Sequence, residues 1–156
     1  MSHSDEYWMQ QALVLAEQAE RQGEVPVGAV VVMENNVVGS GFNQPISSCD
    51  PSAHAEVVAL RNAAETLNNY RLVGATLYVT LEPCTMCVGA MVHSRIQRLV
   101  YGAKEPKAGA VESAARILDA PFMNHRVDYV GGVCEVECSQ KISQFFARRR
   151  REQQAQ

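Results

Sequence analysis

Residues 76–87 read TLYVTLEPCTMC, and the fold follows from them. Residues 76–80 (TLYVT) carry the β-branched and aromatic side chains of a strand. Pro83 stands where a helix begins, since its missing N–H costs nothing in a first turn. The spacing predicts that helix over about 84–94. A strand that feeds a helix through a short turn is the building unit of an α/β protein.

The same reading extends outward. Downstream, 97–102 (QRLVYG) and 127–130 (VDYV) are strand-like, with a short helix expected over 112–118 and a long one over 133–151. Upstream, 27–33 (VGAVVVM) is a buried strand. Glu34, Asn35 and Asn36 form a turn signal, and 37–42 (VVGSGF) returns as the second arm of a hairpin. Trp8, Ala12, Leu15, Ala16 and Ala19 keep helical spacing over 5–21. A further helix is expected over 54–67, with Ser52 as its N-cap. The expected architecture is α/β with one mixed five-stranded sheet, antiparallel at the hairpin and parallel where helices join the strands. No repeat, low-complexity tract or linker interrupts residues 1–156, so a single domain is expected.

Charge is distributed unevenly. The net charge is −3, but residues 1–94 balance to −7 and residues 95–156 to +4, ending in Arg148, Arg149, Arg150 and Arg151. Such asymmetry suits a polyanionic partner, and it equally suits a solvated helical tail. No stretch is apolar enough for a bilayer, and the N-terminal MSHSDEYW is unlike a signal peptide, so a cytoplasmic protein is expected. In a reducing compartment, an odd cysteine count with a C-x-x-C pair favours metal or redox chemistry over disulfides.

The strongest signal joins His54-Ala55-Glu56 to Pro83-Cys84-Thr85-Met86-Cys87. Cys84 and Cys87 are three apart, so a helix puts both sulfurs on one face. A helix beginning near Cys84 favours the thiolate that a metal needs. His54, at the start of another helix, adds a neutral nitrogen. One His and two Cys leave a fourth tetrahedral position for water, the pattern of a catalytic zinc. One Zn2+ per subunit and no organic cofactor are expected. Glu56 reads as the proton carrier: zinc brings the pKa of its water to about 7, and Glu56 takes that proton to a ring nitrogen and then to the leaving amine. The reaction is hydrolytic deamination. H-x-E followed by P-C-x-x-C is the signature of the zinc nucleobase deaminases. Two other readings use fewer of these residues. A closed zinc site would recruit Cys49, Cys134 or Cys138, and a redox C-x-x-C would leave His54 and Glu56 idle.

Beyond the motif, the chain resembles the bacterial tRNA-specific adenosine deaminases over nearly its whole length. The resemblance is carried by Glu24–Val30 (EVPVGAV), Gly41-Phe42-Asn43, Thr80–Cys84 (TLEPC), His93–Ile96 (HSRI), Met123–Val127 (MNHRV) and the Phe145-Phe146 pair before the arginines. It implies a three-layer cytidine-deaminase-like fold, a homodimer, and conversion of adenosine to inosine at the wobble position of a tRNA anticodon. It also implies that Asn43 contacts the flipped base and that the C-terminal helix lies against the anticodon stem-loop. A departure falls at Val111-Glu112-Ser113, where Glu112 adds negative charge near the expected RNA surface.

The individual residues leave alternatives open. Phe145 and Phe146 can stack on RNA beside Arg149, or one can pack inward while the other meets RNA. Asn43 suits a base edge or a turn. Gly28 suits a pocket floor or a close backbone approach. Lys104 and Lys107 are possible phosphate contacts. His125 can touch RNA or anchor a loop, and Glu82 can hold a loop. Two alternative functions share the zinc core: a deaminase of free bases or nucleosides, and a non-catalytic zinc-stabilised RNA-binding module.

Overall fold

The computed structural model describes residues 2–155. In chain order they form α1 (Asp5–Arg21), β1 (Gly28–Met33), β2 (Asn36–Phe42), α2 (Ala55–Leu67), β3 (Thr76–Leu81), α3 (Thr85–His93), β4 (Arg98–Ala103), a 3-10 turn at Ile117–Asp119, β5 (Asp128–Val130) and α4 (Glu135–Gln154). The strands make one mixed sheet in the order β2-β1-β3-β4-β5. β1 is antiparallel to β2 and β3, while β3, β4 and β5 run parallel.

The hairpin closes as its turn signal requires. Met33 pairs with Asn36, and the two residues between them, Glu34 and Asn35, have φ of 49° and 61°. Paired positive φ values match the twist of a two-residue hairpin, and Asn tolerates them well. Side-chain alternation then sends each strand's residues to two separate cores. Ala29, Val31, Leu77, Val79, Leu99 and Tyr101 pack with α2 and α3. Val30, Val32, Tyr78 and Val100 pack with α1 and with Cys138 of α4. The result is the expected three-layer α/β/α fold. Glycine lets the layers close up. A Cβ on Gly28 would lie 2.0 Å from the Ala12 carbonyl oxygen of α1, and one on Gly41 would lie 2.7 Å from that of Ala55 in α2. Gly28 thus serves close helix packing rather than a pocket floor.

Some expected elements shift. No helix forms over 112–118. The N–H groups of Val111, Glu112 and Ser113 bond the Glu82 carboxylate instead of helical carbonyls, and only Ile117–Asp119 turns. Ser52 does not cap α2: its hydroxyl donates to Asp50 at 2.7 Å, and the cap position belongs to His54. The last helix starts later, after Cys134 in the left-handed region. Among the described residues, no helix is long and apolar enough to cross a membrane.

One polar tie locks α1 to the sheet. Asp5 receives both guanidinium nitrogens of Arg98 on β4, at 2.9 and 2.7 Å, and the Tyr78 hydroxyl of β3 at 2.9 Å. The Arg98 hydrogen bonds hold the Asp5 carboxyl below its ordinary value, against the opposing effect of burial. A depressed folded pKa stabilises above the unfolded value of about 4 and is lost as pH falls through the folded value. Because the pair is partly exposed, Asp5→Ala is expected to cost only about 1 kcal/mol. Urea titration at neutral pH should show that gap, and it should close under acid conditions. A gap that persists below the folded pKa would assign the loss to packing instead.

Candidate active site

The site assembles where two helices begin at one end of the sheet. His54 occupies the N-cap position of α2 and Cys84 that of α3, both with extended backbone. Cys87 follows within the first turn of α3 and is fully buried. His54 Nδ1 lies 3.6 Å from Cys84 Sγ and 3.5 Å from Cys87 Sγ, and the two sulfurs are 3.8 Å apart. A tetrahedral zinc with bonds of about 2.3 Å to sulfur and about 2.1 Å to nitrogen needs S–S edges of about 3.8 Å and N–S edges of about 3.6 Å. The three ligand atoms already span such a face, so the residues fit the ion.

The electrostatics agree. Hydrogen bonds from Cys87 and His54 bring the Cys84 thiol down to about 3. Hydrogen bonding to Cys84 and burial push Cys87 up, and hydrogen bonding to Cys84 raises His54. One anion is thus settled on Cys84, and a second beside it needs a cation. Burial lifts the Glu56 carboxyl to about 7, although its own backbone N–H, the charge on His54 and a hydrogen bond with Cys87 oppose the rise. Glu56 is 4% exposed and sits in the first turn of α2.

The other cysteines stand apart from this group. Cys49 is exposed, and Cys138 packs with α1 on the far side of the sheet, where burial pushes its thiol up to about 12. Among the described residues, the metal-suited group is His54, Cys84 and Cys87. A closed site with a fourth cysteine is therefore not what the chain builds.

His54, Glu56 and Cys84 line a cavity of about 190 Å3 together with Val25, Val27, Asn43, Leu81, Glu82, Glu105 and Ala108. Val25, Leu81 and Glu105 also line a wider groove of about 620 Å3, bordered by Lys104, Pro106, Lys107, Ile142, Phe146 and Arg150. The cavity at His54, Glu56 and Cys84 therefore adjoins an aromatic and basic groove, with Val25, Leu81 and Glu105 lining both. Asn43 directly follows β2, and its Oδ1 accepts the Ala55 N–H at 2.8 Å. It thus supplies the capping bond once expected of Ser52, while its amide nitrogen keeps two donors for the cavity.

Helical periodicity sorts the residues of α4. Ile142, Phe146 and Arg150, at i, i+4 and i+8, share the groove face. Lys141 and Arg148 pair with Glu17 and Glu20 of α1. Of the two arrangements open to the Phe pair, the structure takes the one in which a single ring packs inward. Phe145 is 3% exposed and turned inward, so it has no face to offer a nucleotide. Arg149 lies over the Phe145 ring at 5.0 Å, and Arg150 borders the groove. His125 Nε2 lies 2.8 Å from the Ile96 carbonyl oxygen and bonds it, anchoring its loop.

Two buried carboxylates hold loops: Glu82, for which the sequence suggested that role, and Glu24, for which it suggested none. Glu24 is 1% exposed and accepts the N–H groups of Ile46 and Ser47, in the loop between Asn43 and His54. Glu82 is 2% exposed and accepts from the 105–113 loop. Burial raises the Glu82 pKa, but bonds from Ser113, Glu112 and Glu105 outweigh it and hold the group below its ordinary value. Both residues lie in quoted motifs, so their position was visible and their partners were not.

Residues 2–103 match the family model for the cytidine and deoxycytidylate deaminase zinc-binding region. This chain belongs to that family. The tRNA-specific adenosine deaminase of Haemophilus influenzae is 54% identical over 97% of this chain and 88% of its own length. That of Buchnera aphidicola (subsp. Baizongia pistaciae) is 48% identical, over 97% of this chain and 93% of its own. A solved structure from a study of A-to-I editing by tRNA:A34 deaminases matches with a TM-score of 0.84 at 45% identity, covering 86% of this chain and 98% of that one. The deaminase thus has the expected fold and zinc chemistry.

Cys87→Ala is expected to lose bound zinc and deaminase activity together, because two ligands cannot replace three. Metal analysis of the purified variant checks this. Full zinc occupancy in that protein would overturn the ligand assignment.

Proposed function

We propose that this chain converts adenosine to inosine at the wobble position of a tRNA anticodon, with one zinc held by His54, Cys84 and Cys87. The observation that carries the reading is that the His54–Glu56–Cys84 cavity shares Val25, Leu81 and Glu105 with the basic, aromatic groove. An anticodon-loop base is already largely unpaired, so moving it into a pocket costs little.

Bound zinc would supply Lewis acidity that readies a water for attack at neutral pH. Glu56 takes the water proton as its oxygen adds to C6 of the adenine, and protonates the ring nitrogen N1. A second proton passes through Glu56 to the amino group, the C6–N bond breaks, and ammonia leaves. Asn43 orients the base edge through its free amide donors. Phe146 offers a stacking surface, and Lys104, Lys107 and Arg150 bind phosphates.

A free-base or nucleoside deaminase would need the cavity alone and would leave this groove without a task. A non-catalytic RNA-binding module would leave Glu56 buried at the ligands without one. On the proposed reading, residues 1–156 are one deaminase domain that works as a homodimer in the cytoplasm, as its resemblance to the bacterial enzymes implies.

The deciding assay offers an anticodon stem-loop with adenosine at the wobble position, beside free adenosine, cytidine, cytosine and guanine. Inosine is expected in the RNA alone, and turnover of a free base or nucleoside alone would overturn the tRNA assignment. Glu56→Ala is expected to keep zinc and RNA binding while losing roughly 100-fold or more in kcat. Unchanged kcat would sink its role as proton carrier. Arg150→Ala should weaken RNA binding and reduce the slope of log affinity against log salt by about one. An unaltered slope would remove Arg150 from the phosphate contacts.

A further inference from the structure

The loop after β4 forms one wall of the base cavity, yet residues 104–116 include neither helix nor strand. Ala110 and Val111 anchor it in the core, the Ala110 N–H bonds the Pro83 carbonyl oxygen, and one side chain, Glu82, makes five further hydrogen bonds to it. Glu82 Oε1 accepts the N–H of Glu105 at 3.1 Å and the hydroxyl of Ser113. Its Oε2 accepts the N–H groups of Val111 at 3.2 Å, Glu112 at 2.7 Å and Ser113 at 2.9 Å. A carboxylate offers about four acceptor positions. These bonds fill them, so Glu82 has none left for a substrate although it borders the cavity.

The loop's sequence is shaped around that carboxylate. A Cβ at Gly109 would lie 2.4 Å from the carboxyl carbon of Glu82 and 2.5 Å from its Oε1, so only glycine lets the chain pass there. A second tie comes from β4. The buried Tyr101 donates its hydroxyl to Glu112 at 2.5 Å. Glu112 is therefore turned inward, bonded by its N–H to Glu82 and by its carboxylate to Tyr101. Its negative charge is engaged with the protein core rather than directed at RNA.

We propose that Glu82, backed by the Tyr101–Glu112 pair, is a positioning residue for the reaction, holding Glu105 and Ala108 as the wall against which the base is oriented. The inference rests on the tRNA-deaminase reading for its substrate. A displacement of about 1 Å in such a wall is enough to cost roughly 100-fold in rate.

The test uses the full-length, zinc-loaded protein and three variants: Glu82→Gln, Tyr101→Phe and Ser113→Ala. Glu82→Gln keeps the shape but turns one acceptor into a donor facing amide donors. Tyr101→Phe keeps the packed ring and removes one tie, so it remains informative if Glu82→Gln misfolds. Zinc content, amide hydrogen exchange across 104–113, and kcat and KM on the anticodon stem-loop are measured together. Expected for Glu82→Gln are full zinc, faster exchange confined to the loop, and a fall in kcat/KM of roughly 10- to 100-fold. The fall should lie mainly in kcat, because α4 still binds the RNA. Tyr101→Phe and Ser113→Ala should move the same quantities less. Unchanged exchange, unchanged kinetics with a loosened loop, or activity lost in proportion to zinc would each overturn the proposal. Failure of the unaltered protein to deaminate the RNA would overturn the tRNA reading instead, and the same comparison would then run on the base that it does accept.

Discussion

The α2 and α3 N-termini meet at one end of the sheet, and the site depends on that meeting. It brings three ligand atoms within 3.8 Å of one another. Helix N-termini favour anions there, which helps Cys84 ionise. Two thiolates at that separation would repel by about 4 kcal/mol at an effective dielectric constant of about 20. Hydrogen bonding accordingly lowers the Cys84 thiol, while hydrogen bonding and burial raise that of Cys87. A divalent cation removes that repulsion, so the same geometry that is unfavourable for two bare thiolates suits zinc.

Burial of carboxylates separates scaffold from chemistry. Glu24, Glu56 and Glu82 are all at most 4% exposed. Glu24 bonds backbone N–H groups in the loop between Asn43 and His54, and Glu82 those of the loop after β4. Such charge-assisted bonds to fixed amides order loops that have no ladder of their own. Glu56 differs in that burial raises it to about 7, beside the ligand cluster. A carboxylate saturated by amides holds a wall. One whose charged form is disfavoured by burial is suited to carrying protons.

The C-terminal helix shows how one amphipathic element serves several surfaces. Lys141 and Arg148 are bonded to acids of α1, and Arg149 covers the buried Phe145. Phe146 and Arg150 border the groove. The basic run is thus only partly available to a polyanion, because much of it docks the helix. The ion pairs between α4 and α1 help to orient the groove face of α4.

Much of this was legible in the sequence. The period-2 strands, the Glu34-Asn35 turn and the strand-to-helix step at Pro83 specify the mixed sheet locally, because backbone conformation depends on near neighbours. The spacing of His54 and Glu56, and of Cys84 and Cys87, specifies a zinc deaminase site for the same reason: each pair lies within one helical turn. What the chain could not reveal locally was every contact between distant segments. Asn43, twelve residues before Ala55, caps α2. Glu82 ties down residues up to Ser113, and that carboxylate replaces the helix expected over 112–118. Phe145 and Phe146 were a neighbouring pair of equal chemistry until docking of α4 buried one and left the other 40% exposed. Local pattern determined the elements and the ligands. Only the tertiary structure decided which polar groups meet, because a buried carboxylate or amide is satisfied by whichever partner the packing brings near, whatever its distance along the chain.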